Sequence, residues 1–141
     1  MKINLKYTVA LNILIVCDIC KDKKITANYI SSVTGCDVTT IRQVMFDLKK
    51  AGFIEGKPGP GGTKLKKNLE NVTLFDVYVS VLDPKESMLK FYEAEEKENN
   101  LSKVIQSVVD TQFNDYRDLL LSEMKNTTVE TICNRIKTKL L

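Results

Sequence analysis

At 141 residues, 43% of them hydrophobic, the chain can build one domain, or one small domain with a helical appendage, around a real core. No apolar run approaches the roughly 18 residues that span a membrane. Histidine is absent, which removes most catalytic dyads and most zinc sites, and the net charge of +3 is unevenly divided. Residues 1–67 carry 12 Lys/Arg against 5 Asp/Glu, a net of +7, whereas residues 68–141 carry 9 against 13, a net of −4. Two ordinary solvated surfaces would give such a split, and so would a basic end that meets a polyanion. The apolar stretch at 9–19 is broken by Asn12 and Asp18 and lacks the cleavage site of a signal peptide. Four cysteines at irregular positions then point to reduced thiols in a cytoplasm.

In chain order, residues 7–21 place apolar side chains at Ala10, Leu11, Leu14 and Ile15, a helical period. A second helix starts after Thr26, a suitable N-cap, with Ile25 and Ile30 as a hydrophobic staple, and stops at Gly35. Asp37 caps a third helix through Ala51, where Gly52 supplies a left-handed end. Residues 53–57 and 63–67 are short enough to be two strands of a hairpin. Two of the three prolines and four of the six glycines fall within residues 56–62, a tight and specially shaped loop. Thr73 caps a helix of Leu74, Val77, Tyr78, Val81 and Leu82, ended near Asp83-Pro84, and residues 85–98 form a charged, solvated connector. A long helix follows at 101–124, with Leu101, Val104, Ile105, Val108, Val109, Phe113, Tyr116, Leu119, Leu120 and Met124 in one stripe. Thr127 or Thr128 caps a last short helix.

Residues 26–51 have helix-turn-helix spacing: small Ser31 on the first helix, Gly35 four residues later, and apolar Cys36, Ile41 and Val44 at the expected offsets. Serine stands where alanine is usual. On the second helix Ile41, Val44, Met45 and Leu48 share one face; Thr39, Gln43, Phe46, Asp47 and Lys50 lie opposite, with Thr40 and Arg42 flanking. The second helix of such a motif lies in the major groove. There hydroxyls are adaptable, Arg favours guanine and Gln favours adenine. An ordinary helical hairpin with a polar face would share this spacing, but here the motif runs into a Gly/Pro-tipped hairpin, the layout of a winged helix. The DNA-contact candidates are therefore Thr39, Thr40, Arg42, Gln43 and Lys50 on the helix, with Lys57, Gly59, Gly61 and Lys64 in the wing. Lys66 and Lys67 also stand near the hairpin. The glycine-rich loop lacks the Gly-Lys-Ser/Thr ending of a P-loop and opens no helix.

The segments Thr39-Thr40-Ile41-Arg42, Leu48-Lys49-Lys50-Ala51-Gly52-Phe53-Ile54, Lys57-Pro58-Gly59-Pro60-Gly61-Gly62 and Val72-Thr73-Leu74-Phe75-Asp76-Val77 together resemble the Rrf-two family of bacterial winged helix-turn-helix transcription regulators. The likeness covers residues 1 to about 82; beyond that only the pattern of a connector and a long helix is shared. It implies a homodimer on a palindromic operator, usually a repressor, with crossed long helices joining the subunits. Several members of that family hold an iron–sulfur cluster through three cysteines between wing and long helix. Residues 82–100 contain no cysteine here, so the chain resembles the clusterless branch, and no iron–sulfur cluster, metal or other cofactor is expected.

The expected architecture is mainly α with a small β-hairpin wing: residues 1–82 a winged helix-turn-helix DNA-binding domain, 83–98 a charged connector and 99–141 a helical dimerisation region. Leu101, Val104, Ile105, Val108, Phe113, Tyr116 and Leu120 are the expected dimer contacts. The expected partners are double-stranded DNA and a second copy of the chain, with no membrane. Cys36 fills an apolar offset, where core packing is its ordinary role; the alternative is a redox-active thiol beside the recognition helix, making a thiol-sensing repressor. Cys17 and Cys20 are the only close pair, and buried helical cysteines share that spacing. A winged helix that binds only protein is the remaining alternative, since fold does not fix function. It would carry an apolar patch in place of the polar helix face. No nucleophile–base pair supports an enzyme.

Overall fold

Most helix ends in the computed structural model, which describes residues 5–57, 61–82 and 100–141, are set by the local chemistry of their caps. Helix α1 (Leu5–Ile19) is followed by α2 (Ala27–Thr34) and α3 (Val38–Lys50). The Thr26 side chain accepts from the Tyr29 amide at the start of α2, and Gly35, at φ 76°, closes it by donating to the Ser31 carbonyl. Strands β1 (Ile54–Lys57) and β2 (Gly62–Leu65) form an antiparallel hairpin in which Glu55 faces Lys64 and Gly56 faces Thr63. A 3-10 turn (Leu69–Asn71) leads into α4 (Leu74–Val81), whose start is a reciprocal capping box between Thr73 and Asp76. Helix α5 (Asn100–Lys125) is the longest element, and α6 (Val129–Leu140) begins on a Thr128 cap. The expected mainly helical chain with a two-stranded wing is therefore the observed one. The connector expected at 85–98 lies outside the described residues.

α1 is the centre of the core. It buries Tyr7, Val9, Ala10, Ile13, Leu14, Val16 and Cys17, more than one stripe, because α3, α4 and α6 each pack against it. The Tyr7 hydroxyl donates to the Leu74 carbonyl at 2.9 Å, and its ring meets Tyr78 edge-on at 5.5 Å. Burial, with Tyr78 adding to it, pushes the Tyr7 phenol up to about 12.

The last helix belongs to this same core. The Leu74 amide donates to the Thr127 carbonyl at 2.9 Å, and the Val129 amide donates to the Val72 carbonyl at 2.8 Å. Thr73 and Thr128 are thus bridged, and Met124, Val129 and Cys133 join the buried cluster. Lys137 pairs with Asp18 at 3.0 Å across α6 and α1. The packed core therefore runs across the sequence boundary near residue 99: the end of α5 and all of α6 lean on the N-terminal helices.

Candidate nucleic-acid interface

The turn between α2 and α3 is held by side chains. The Ser31 hydroxyl donates to the Cys36 carbonyl at 2.7 Å, and the Cys36 amide donates to the Thr34 hydroxyl at 3.2 Å. This explains serine where alanine is usual, since the hydroxyl satisfies a carbonyl that the turn leaves without a helical partner. Cys36 sits half-buried between these bonds, packed against the core.

α3 divides into two faces. Ile41, Val44, Met45 and Leu48 are buried, while Thr39, Arg42, Gln43, Phe46, Lys49 and Lys50 are exposed. Asp37 caps the helix by accepting from the Thr40 amide at 2.9 Å and the Thr40 hydroxyl at 3.1 Å. The amide first, then the hydroxyl, hold the Asp37 carboxyl below its ordinary range. Of the four residues read as base contacts, Thr39, Arg42 and Gln43 thus present free-standing ends to solvent, while the Thr40 hydroxyl proton is committed to the cap.

The wing is tied to the helices through β2. The Thr63 amide donates to the Ile25 carbonyl at 2.8 Å, joining β2 to the loop between α1 and α2, while the Lys66 amide donates to the Phe53 carbonyl at 2.9 Å and closes the base of the hairpin. Gly62, at φ 64°, lies so close to this loop that a methyl there would stand 2.8 Å from the Ile25 carbonyl oxygen and 3.0 Å from the Lys24 Cγ. Lys64 is exposed on β2 opposite Glu55. Lys67 turns back instead, its ammonium 4.4 Å from the centroid of the Phe53 ring. Gly61 is half-exposed, whereas Gly59 and the Lys57 side chain lie outside the described residues.

Two contributors were not visible in the sequence as parts of this surface. The Lys49 ammonium lies 3.2 Å from where a Gly56 side chain would begin, so the last turn of α3 overhangs the wing. Lys23 and Lys24, exposed in the α1–α2 loop, are brought beside the wing by the bond from Thr63 to Ile25. The second depends on a contact distant in sequence and the first on how the hairpin folds back beside α3, and no local pattern stands for either. Together these lysines extend one basic rim from α3 across the hairpin, suited to a phosphate backbone.

The exposed apolar stripe of α5 lies away from this rim in sequence and character. Leu101, Val104, Ile105, Val108, Val109, Phe113, Tyr116 and Leu119 are 44–65% exposed, with Phe113 and Tyr116 in edge-on contact at 5.8 Å. Leu120, expected from the sequence to belong to the dimer contacts, is half-buried against the chain's own core, as is Leu121, and Met124 is buried.

A reading helix set on a packed core by a hydrogen-bonded turn, with a glycine-based hairpin fastened at its flank, defines a winged helix-turn-helix DNA-binding protein. The model of the Rrf2 family, described as an iron-dependent transcriptional regulator, matches residues 3–135, and the chain belongs to that family. It is a DNA-binding transcriptional regulator. A relative in Bacillus subtilis strain 168, YwnA, named as an HTH-type transcriptional regulator, is 25% identical over 134 residues, covering 95% of this chain and 98% of YwnA. Among solved structures, the chain is similar in fold to IscR of T. potens (TM-score 0.74, 14% identity, covering 100% of this chain and 92% of that one). It is similarly like CymR, the global cysteine regulator of B. subtilis (TM-score 0.69, 19% identity, 96% and 98% covered), and the oxidised form of Staphylococcus aureus CymR (TM-score 0.67, 22% identity, 94% and 96% covered).

The family description names iron, and the donors of this chain do not fit a thiolate-held cluster. Cys17 and Cys133 are buried; burial first, with Cys20 near one and Asp18 near the other, pushes their thiols up to about 12 and about 11. Cys20 lies just past the end of α1 and Cys36 in the α2–α3 turn. Among the described residues no group of three His, Cys, Asp or Glu side chains could hold a metal ion. Among the same residues no helix is long and apolar enough to cross a membrane.

Proposed function

We propose that the chain works in the cytoplasm as a homodimeric repressor of transcription, by binding rather than by catalysis. Two copies would join through the 101–119 face of α5 and place their α3 helices in successive major grooves of a palindromic operator. In this reading residues 1–82 form the DNA-binding domain, 83–98 the connector and 99–141 the dimerisation region, with α6 returning to buttress the first. Arg42 and Gln43 read base edges, the Thr39 hydroxyl adapts to them, Thr40 offers only the lone pairs its bond to Asp37 leaves, and Lys50, Lys57, Gly59, Gly61 and Lys64 meet phosphates. The observation that carries the reading is that α3 turns an almost wholly polar face outward and that this face continues into a lysine-rimmed wing. A protein-binding winged helix would show an apolar patch there.

Selection from a randomised duplex pool followed by fluorescence anisotropy across a salt series tests it. A palindrome should be enriched and bound at least about a thousandfold more tightly than a shuffled duplex. Arg42→Ala and Gln43→Ala should lower that ratio more than they weaken binding to the shuffled duplex. Equal losses on both duplexes would remove Arg42 and Gln43 from base reading. Failure to enrich any sequence would overturn the specific-operator reading itself.

A further inference from the structure

Phe46 is the only large apolar side chain that α3 exposes, at 62%, on an outward side otherwise made of Thr39, Arg42, Gln43, Asp47, Lys49 and Lys50. Its exposure has no counterpart in the packing of the chain. α3 already buries Ile41, Val44, Met45 and Leu48, and these suffice to seat it on α1 and α4. Nor does Phe46 belong to an apolar patch that a protein partner would cover, because its helical neighbours one turn back are Arg42 and Gln43 and one turn ahead are Lys49 and Lys50. The Lys50 ammonium stands 5.3 Å from the ring centroid, so the ring is held under a cation yet remains open to solvent.

We propose that Phe46 is a specificity-determining residue that packs against the 5-methyl group of a thymine in the major groove. This rests on the DNA-reading role of α3 and deepens it. With a rise of about 1.5 Å per residue, Phe46 lies roughly 4.5 Å beyond Gln43 and 6 Å beyond Arg42 along the helix, about one to two base steps of 3.4 Å. It is thus placed to meet a base adjacent to those read by hydrogen bonding. The major-groove edges of the four base pairs present donors, acceptors and one apolar group, the thymine methyl. A benzyl side chain has no hydrogen bond to offer, so on this face the methyl is its chemical complement. The Lys50 ammonium above the ring supplies positive charge toward the flanking phosphates. Each half-site should therefore contain a thymine that neither Arg42 nor Gln43 specifies.

The test uses the intact protein and the duplex it selects from a randomised pool. Each thymine is replaced singly by deoxyuridine, which removes the methyl and leaves every hydrogen-bonding group. At one position in each half-site the replacement should weaken binding about three- to fivefold, the effect expected for one buried methyl. Phe46→Ala should abolish the penalty at that position, whereas Arg42→Ala should leave it in place. Indifference of the native protein to deoxyuridine at every thymine would overturn the proposal, and that measurement needs no variant. A Phe46→Ala protein with the native pattern of penalties would overturn it equally. Should selection enrich no duplex, the operator reading fails first, and that outcome is seen before any deoxyuridine is introduced.

Discussion

Replacing Gly62 by alanine separates two costs that a glycine can conceal, with Gly35 as the internal control. Both have left-handed backbones, φ 64° and φ 76°, where an L side chain costs roughly 1–2 kcal/mol. At Gly35 nothing lies within 4 Å of the added methyl, so that backbone cost is the whole effect. At Gly62 the methyl would sit 2.8 Å from the Ile25 carbonyl oxygen, backbone against backbone, and one strand must move. The bond that then stretches is the 2.8 Å contact from the Thr63 amide to the same Ile25 carbonyl, and Thr63 is buried. Losing it adds about 1–3 kcal/mol. At about 3 °C per kcal/mol for a chain of this size, Gly35→Ala should lower the melting temperature by roughly 3–6 °C and Gly62→Ala by about 6–15 °C. Circular-dichroism melts at one protein concentration measure both. Asparagine sharpens the comparison, because it tolerates the left-handed region: Gly35→Asn should recover most of the loss and Gly62→Asn should not. Gly62→Ala should also flatten the salt dependence of binding to random duplex, since the wing lysines move with the strand. If the two alanine variants melt within a degree of each other, the α1–α2 loop does not clamp the wing and the reasoning is wrong.

Val108→Asp probes the proposed dimer. Val108 is 63% exposed, so its burial against a second copy is worth about 1–2 kcal/mol, counted twice in a symmetric pair, before two carboxylates are desolvated. Dimer dissociation should strengthen by about 100-fold or more, and light scattering at micromolar concentration should show the mass halved; an unchanged mass would exclude this face. In thiol titration of the native protein near pH 8, at most Cys20 and Cys36 should react promptly, because the Cys17 and Cys133 thiols are buried and raised to about 12 and about 11; all four should react once unfolded. Prompt reaction of three or more in the folded state would contradict that burial. Asp37, held below its ordinary range by the Thr40 amide, should stabilise α3 fully at neutral pH and lose that contribution only as pH falls through its lowered folded value. Asp37→Asn keeps an acceptor for the cap and should flatten that acid limb of stability, and a native-like acid limb in this variant would place the titration elsewhere.

The parts of the fold that the sequence displayed are those governed by neighbours in the chain. Thr26, Gly35, Asp37, Gly52 and Thr73 mark helix ends because caps act over three or four residues, and the observed elements begin and end within about two residues of where those caps fall. The amphipathic split of α3 was legible for the same reason. What periodicity does not encode is the identity of the surface that covers an apolar face. The stripe along α5 reads as continuous from Leu101 to Met124, yet its last turns pack on the chain's own core while the earlier ones stay exposed. The return of α6 onto α1 and the Asp18–Lys137 pair join residues far apart in sequence, and the overhang of Lys49 above Gly56 depends on how the hairpin folds back beside α3. Lys67 shows the converse limit: composition placed it among the wing cations, and only the geometry shows its ammonium over Phe53.

That α5 is split between core and solvent has a mechanical consequence for the proposed dimer. Its exposed stripe from Leu101 to Leu119 spans about 27 Å at 1.5 Å per residue, ample for a seam between two copies. A seam can set the distance between two reading helices only if it is rigidly joined to them, and here the junction is built from several independent contacts. Met124 is buried in the core, the Lys125 ammonium lies 4.5 Å from the Phe75 ring centroid on α4, and the Leu74 and Val129 amides lock the α5–α6 turn to the segment entering α4. α4 in turn packs against both α1 and α3, so the seam is joined to the recognition helix through packed elements. Phe75→Ala, which removes the Lys125 contact, should therefore weaken binding to the palindrome more than binding to a single half-site. Equal loss on the half-site would show that Phe75 supports the reading head itself, not its spacing.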